Sequence, residues 1–242
     1  MSADQEPLIF SEQKPRSYYA RKIAHHAVIV RAAYGLNLNH TTQQRWTDFW
    51  YFMRAADTYL DTSDGELTQE EKNNRFINYV SHGNYGNHFA YLTKDALGDT
   101  AHTCLAQQTM SLIHHNYEAK QATSPMRLMA NRAREGELTA DIILGLIDSS
   151  TNEDPRYLKF ARAFRKAGAI STLFDTASDF YADTSKNQLA LSYSVSMNAR
   201  LFSLASLYSI HQLRQSRAHI TQPEESSDVD EQYVIQVNEQ TS

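Results

Sequence analysis

Phe174-Asp175-Thr176-Ala177-Ser178-Asp179-Phe180-Tyr181-Ala182-Asp183 sets three carboxylates at intervals of four residues. At about 3.6 residues per turn such a series stacks along one face of a helix. Like charges at that spacing cost a helix roughly 0.2–0.5 kcal/mol per pair. None of the three has a Lys or Arg four residues away to offset the repulsion. Their neighbours Leu173, Phe174, Phe180 and Tyr181 make it harder to leave the whole row in water. A divalent cation would resolve the conflict, because Mg²⁺ takes oxygen ligands and prefers one or two carboxylates together with phosphate oxygens. The plainer alternative is a solvated acidic helix face.

Working outward, Trp50-Tyr51-Phe52-Met53-Arg54-Ala55-Ala56-Asp57-Thr58-Tyr59-Leu60-Asp61 places Asp57 and Asp61 on one face in the same way. Two such helices facing each other would clamp a diphosphate through bridging metal ions. The ions would neutralise charge gathering on the departing diphosphate and lower the barrier to an allylic carbocation. Trp50, Tyr51, Phe52 and Phe180 are candidates to line the apolar side and stabilise that cation through their ring faces.

The chain around these motifs reads as all-helical. Its 242 residues suit one large domain or two small ones, and only 8 Gly and 5 Pro disfavour a turn-rich β architecture. A net charge of −5 offers no basic field for nucleic acid. The single cysteine, Cys104, excludes an internal disulfide and a Cys-based zinc site, and a reducing, cytoplasmic setting is expected. Residues 1–14 are expected to be a flexible, polar lead without a signal-peptide pattern. No apolar run of about 18 residues exists to span a membrane.

Periodicity predicts a first helix from Pro15 or Ser17 to about Tyr34, with Ile23, Ala27, Val30 and Tyr34 on one stripe. A second follows Asn39–Thr42 and runs to Leu60. Thr68-Gln69-Glu70-Glu71 is a capping box opening a third, and His82–Asn87 reads as a loop. Further helices are predicted from Asp99 to Lys120, from Pro125 to Ile147, from Arg156 to Asp183 and from Asn187 to Arg217. The folded domain is bounded at 15–218, and 219–242 is expected to be a disordered acidic tail.

At its aspartate motifs the chain resembles the squalene and phytoene synthases. Tyr51 to Asp61 is similar to that family's first aspartate-rich motif, and Asp175, Asp179 and Asp183 match its second. Arg16-Ser17-Tyr18-Tyr19 is similar to a segment opening many members, and Ala169 to Leu191 resembles the small prenyltransferases that share the fold. The resemblance implies an all-α, single-domain bundle of the class I isoprenoid synthase type with a central apolar pocket. It implies a prenyl diphosphate substrate and Mg²⁺ as cofactor. By position, Asp57, Asp61, Asp175, Asp179 and Asp183 would be metal ligands. Arg54 would orient the first motif or touch phosphate, acting with Asp57 and Asp179 in catalysis, and Lys186 would contact phosphate. Thr58 and Thr176 stand where relatives carry acids, and the family's central motif is replaced by Arg134-Glu135-Gly136-Glu137-Leu138-Thr139. Transfer of the prenyl group to an acceptor is therefore the expected activity. A terpene cyclase, a non-catalytic assembly or lipid-binding member of the fold, and a helical adaptor stay open beside it.

Arg21 and Arg31 on the first helix, Tyr51, and Arg132 or Arg134 ahead of the Ile142–Ile147 stretch complete the candidate substrate contacts. Adjacent histidines on a helix point about 100° apart, so neither His25-His26 nor His114-His115 can chelate one ion. No His follows a Glu by three positions, which excludes a helical di-iron site. A peripheral membrane contact and a homodimer are compatible with such a protein; a nucleic-acid partner is not expected.

Overall fold

A computed structural model describes residues 14–61, 67–68, 70–75, 107–147, 151 and 153–221, with backbone alone at 55–57, 61 and 215–221. The helical elements are α1 (Arg16–Tyr34), α2 (His40–Asp61), α3 (70–75), α4 (107–120), α5 (Pro125–Gly145), α6 (Pro155–Ser185) and α7 (Val195–Thr221). Among the described residues there is no strand, and no helix is long and apolar enough to cross a membrane. The chain divides into two compact units, Met1–Ala205 and Ser206–Ser242.

Local chemistry sets the helix ends. Gly35 closes α1 in the left-handed region at φ 69°, where a side chain would be strained and would also meet the Arg156 guanidinium. Asn39 opens α2 by accepting the Thr42 amide at 2.8 Å. The capping box before α3 is present: Glu71 accepts the Thr68 amide at 2.7 Å, and the Thr68 hydroxyl accepts the Glu71 amide at 3.2 Å. Ser124 and Asp154 cap α5 and α6, each with Pro at the first helical position.

One expected boundary moves. A helix from Asn187 is not formed; α7 begins at Val195. Asn187 instead takes φ 57° and closes α6 with a Schellman turn, its amide donating to the Thr184 carbonyl at 3.1 Å and the Gln188 amide to the Asp183 carbonyl at 2.9 Å. Ala190 then ties the connection to the Lys120 carbonyl at 2.8 Å, and Ser194 accepts the Met197 amide at the start of α7. Loop 82–87, residues 99–106 with Cys104, the lead 1–13 and the acidic stretch 222–242 lie outside the described residues.

The core of the first unit gathers the apolar stripes of α1, α2, α4, α5 and α6. Ile23 and Val30 are buried, with Ala27 and Tyr34 packed beside them, as the first-helix stripe predicts. Trp46 is central: its ring stacks on Phe164 with centroids 5.7 Å apart, and its indole N–H donates to the Ile143 carbonyl at 2.9 Å. The Ile143 carbonyl, near the end of α5, accepts that bond together with one from the Leu146 amide at 3.2 Å. Gly136 meets Gly168, and Asp141 pairs with Arg165, so α5 and α6 run antiparallel. A Cβ at Gly136 would stand 2.4 Å from the Gly168 carbonyl oxygen, and one at Gly168 would stand 2.5 Å from that of Gly136. Only glycines allow this backbone approach.

Candidate functional site

The α5–α6 crossing separates two cavities of opposite character. On one side, the carboxyl-terminal half of α6 supplies Asp175, Asp179 and Asp183 to a polar cleft of about 350 Å³. Arg132 and Glu135 of α5 face them across it, with Arg54 from α2, Lys120 at the end of α4, and Lys186 and Gln188 from the Schellman turn. On the other side, Trp46 and Trp50 of α2, Ile143 of α5, and Phe164 and Ala167 of α6 line an apolar cavity of about 280 Å³. Thr172 lines both.

The polar cleft carries balanced charge. Among its described residues, Glu135, Asp175, Asp179 and Asp183 face Arg54, Lys120, Arg132 and Lys186. Glu135 is held in place by Arg132 at 2.6 Å and by the Asn116 side-chain amide at 3.0 Å. The Arg132 and Glu135 side chains are only 13% and 17% exposed, so this pair is a rigid wall rather than a surface contact. Asp175 and Asp179 are exposed to the cleft and, among the described residues, form no ion pair. Thr172 and Thr176 turn their hydroxyls onto the α6 backbone, at the Gly168 and Thr172 carbonyls. They therefore bring no charge to the row. No group of three or more His, Cys, Asp or Glu stands close enough to hold a metal ion among the described residues. Asp57 and Asp61 lie on the last turns of α2, but their side chains are outside the described set.

Of the candidates from sequence, Arg54, Asp175, Asp179, Asp183 and Lys186 line one cleft. Four others are not among its lining residues. Arg21 and Arg31 are exposed on α1. Tyr51 is exposed and packs edge-on against Tyr19 with centroids 6.0 Å apart. Arg134 pairs with Glu137 at 3.0 Å on the outside of α5, leaving Arg132, two residues earlier, to face the cleft. The aromatic lining also differs from expectation. Trp50 reaches the apolar cavity, while Phe52 and Phe180 are buried in packing.

Sequence reasoning missed Lys120, Asn116, Thr172 and Gln188. Lys120 and Gln188 come from helix ends whose convergence depends on the Ala190–Lys120 tie, a contact across 70 positions with no local signal. Thr172 was findable, since it continues the Asp175–Asp179–Asp183 face by one turn. His26 borders the apolar cavity, and burial lowers its pKa, helped by the neighbouring charges of His25 and Lys22.

Comparison with protein families, curated proteins and solved structures returned no match.

Proposed function

We propose that the chain is a Mg²⁺-dependent prenyltransferase that ionises an allylic prenyl diphosphate and transfers the prenyl group to an acceptor. The supporting observation is the junction at Thr172, where a charged cleft and an aromatic-walled apolar cavity adjoin. An amphiphile with a phosphorylated head and a hydrocarbon body fits both halves. A sugar phosphate has no use for the apolar half, and a plain lipid has none for the charged half.

The donor set suits Mg²⁺. Asp175, Asp179 and Asp183 are hard oxygen donors on successive turns, too few in one place to enclose an ion. Mg²⁺ ordinarily completes its shell with water and substrate phosphate, so it does not need a closed protein cage. Asp57 and Asp61 would join them from α2. When bound, the ion supplies positive charge to the phosphate oxygens.

The chain's own residues perform the rest. Arg54, Lys120, Arg132 and Lys186, which line the cleft, would bind the diphosphate and hold it as the carbon–oxygen bond breaks. Arg132 is pre-oriented by Glu135 and so loses little side-chain freedom on binding. Trp46, Trp50 and Phe164 exclude water from the hydrocarbon and offer ring faces to an allylic cation.

The test is release of pyrophosphate from geranyl, farnesyl and geranylgeranyl diphosphates with Mg²⁺, with and without added acceptors. Release is expected from at least one. Asp179→Ala should abolish it, and Glu153→Ala, at an exposed turn away from the cleft, should not. No release from any of the three substrates would overturn the proposal.

A further inference from the structure

One side of α1 presents cations and aliphatic side chains to solvent together. Ile23, Ala27, Val30 and Tyr34 pack into the core, while Val28 and Ile29, on the far side of the helix, are 65% and 50% exposed. Arg21, His25 and Ala32 fall on that outward side and are exposed as well. The exposed Lys22 and Arg31 flank it, about 80° and about 100° to either side of Ala32. Near the start of the helix, Lys14 and Lys22 hold their ammonium groups over the Tyr18 ring, 4.5 and 4.9 Å from its centroid. Arg16 pairs with the buried Asp48, but Lys14, Arg21, Lys22 and Arg31 form no ion pair among the described residues. From Lys14 to Thr47 the sequence holds no Asp or Glu, within a chain of net charge −5.

We infer that the outward face of α1 is a docking face for an anionic lipid surface. Charge complementarity selects this occupant. Four exposed cations on a helix without acids meet negative headgroups, while Val28 and Ile29 between the flanking Lys22 and Arg31 reach the acyl boundary. Tyr18, with an apolar ring and a polar tip, suits the same boundary. The helix lies on such a surface rather than spanning it, since no described helix is long and apolar enough to cross. A nucleic acid would engage the cations through its phosphates and leave the two aliphatic side chains in water. A second copy of the chain would set these cations against their own counterparts, which disfavours a symmetric pairing through this face. The inference does not depend on the proposed enzymatic activity.

The experiment is co-sedimentation of the full chain with phosphatidylcholine vesicles, with and without about one-third phosphatidylserine, at low and high salt. Binding is expected to the phosphatidylserine vesicles and to weaken at high salt. Arg21→Glu with Lys22→Glu should weaken it by at least about 25-fold, from roughly fivefold for each cation lost. Arg127→Glu with Arg134→Glu, at surface pairs on α5, makes the same change in net charge and should cost no more than about threefold, because charges away from the contact are screened. Val28→Ser with Ile29→Ser tests the aliphatic half; both positions are exposed, circular dichroism checks that the helix is kept, and binding should drop at both salt levels. Equal losses from the two charge-reversed pairs, no loss from the serine pair, or equally tight binding to phosphatidylcholine alone would overturn the proposal. So would failure of the wild type to sediment with vesicles, including the case where duplex DNA retains it instead.

Discussion

Replacing Gly136 with Ala sets two well-measured effects against each other, and the structure says which wins. Helix propensity alone favours Ala over Gly by about 1 kcal/mol at an interior position. Sterics oppose it. The new Cβ would lie 2.4 Å from the Gly168 carbonyl oxygen, 2.7 Å from its carbonyl carbon and 2.7 Å from the Thr172 hydroxyl. Two of these obstacles are backbone and cannot rotate aside, so α5 and α6 must separate by about an ångström to reach ordinary contact distance. Overpacking a core in this way costs about 1–3 kcal/mol, and a backbone obstacle belongs at the upper end. The net expectation is a loss of about 2 kcal/mol, or about 4–8 °C in midpoint for a unit of this size. Thermal unfolding followed by circular dichroism measures it. Gly168→Ala, whose Cβ would lie 2.5 Å from the Gly136 carbonyl oxygen, should fall in the same range. An unchanged or raised midpoint in either variant would refute the close backbone crossing and, with it, the junction between the two cavities.

Asp154 caps α6 and is held at about 2, chiefly by the Arg156 side chain and then by the Arg156 amide. A native value below the ordinary 3.8 means this stabilisation is complete above pH 3.8 and lost as pH falls through about 2. Asp154→Ala should therefore lower the thermal midpoint at pH 6 and have little effect at pH 2. Asp48 is buried and pairs with the half-exposed Arg16, which the carboxylate keeps firmly protonated. Arg16→Met should cost about 1–3 kcal/mol in urea unfolding by stranding that carboxylate, and adding Asp48→Asn should recover most of it. Trp46→Phe should cost about 0.5–1.5 kcal/mol through the lost bond to the Ile143 carbonyl, which keeps the Leu146 amide as its other donor. In the cleft, Asp175→Asn with Asp179→Asn removes two negative charges facing four cations. Calorimetry should show pyrophosphate binding more tightly without metal than in the wild type, and no further gain on adding Mg²⁺.

The helical class and most element boundaries could be read locally, because capping chemistry is local. Pro125 and Pro155 at helix starts, Gly35 at a helix end and the Thr68–Glu71 box all do in the structure what their residue types dictate. Asn187 was misread for an equally local reason. Asn tolerates the left-handed region and so ends a helix as readily as Gly, but in sequence it resembles a helix-opening cap. The acidic row of the cleft was legible from spacing alone, while its cations were not. Arg132 and Arg134 differ by about 200° around α5, and nothing local says which of them faces inward. The choice is made by Gly136, which must face Gly168 for the helices to touch. That fixes the rotation of α5 and sends Arg132, one turn earlier on the same side, into the cleft.

The same crossing explains why the two cavities have the characters they do. Along one face of α6 the sequence runs Phe164, Ala167, Gly168, Ser171, then Thr172, Asp175, Asp179, Asp183, passing from apolar to charged without changing sides. Along the facing side of α5 the order is reversed, from Arg132 and Glu135 through Gly136 to Ala140 and Ile143. Antiparallel packing pairs the two charged halves and the two apolar halves, so each end of the crossing becomes a uniform environment. An ordinary amphipathic helix changes character around its circumference, because one face meets water and the other the core. A change of character along a single inward face serves neither need. It leaves Asp175 and Asp179 exposed to the cleft on the side where Arg54, Lys120, Arg132 and Lys186 also line it. That longitudinal gradient, matched on two antiparallel helices, sets a charged cleft and an apolar cavity end to end along a single crossing.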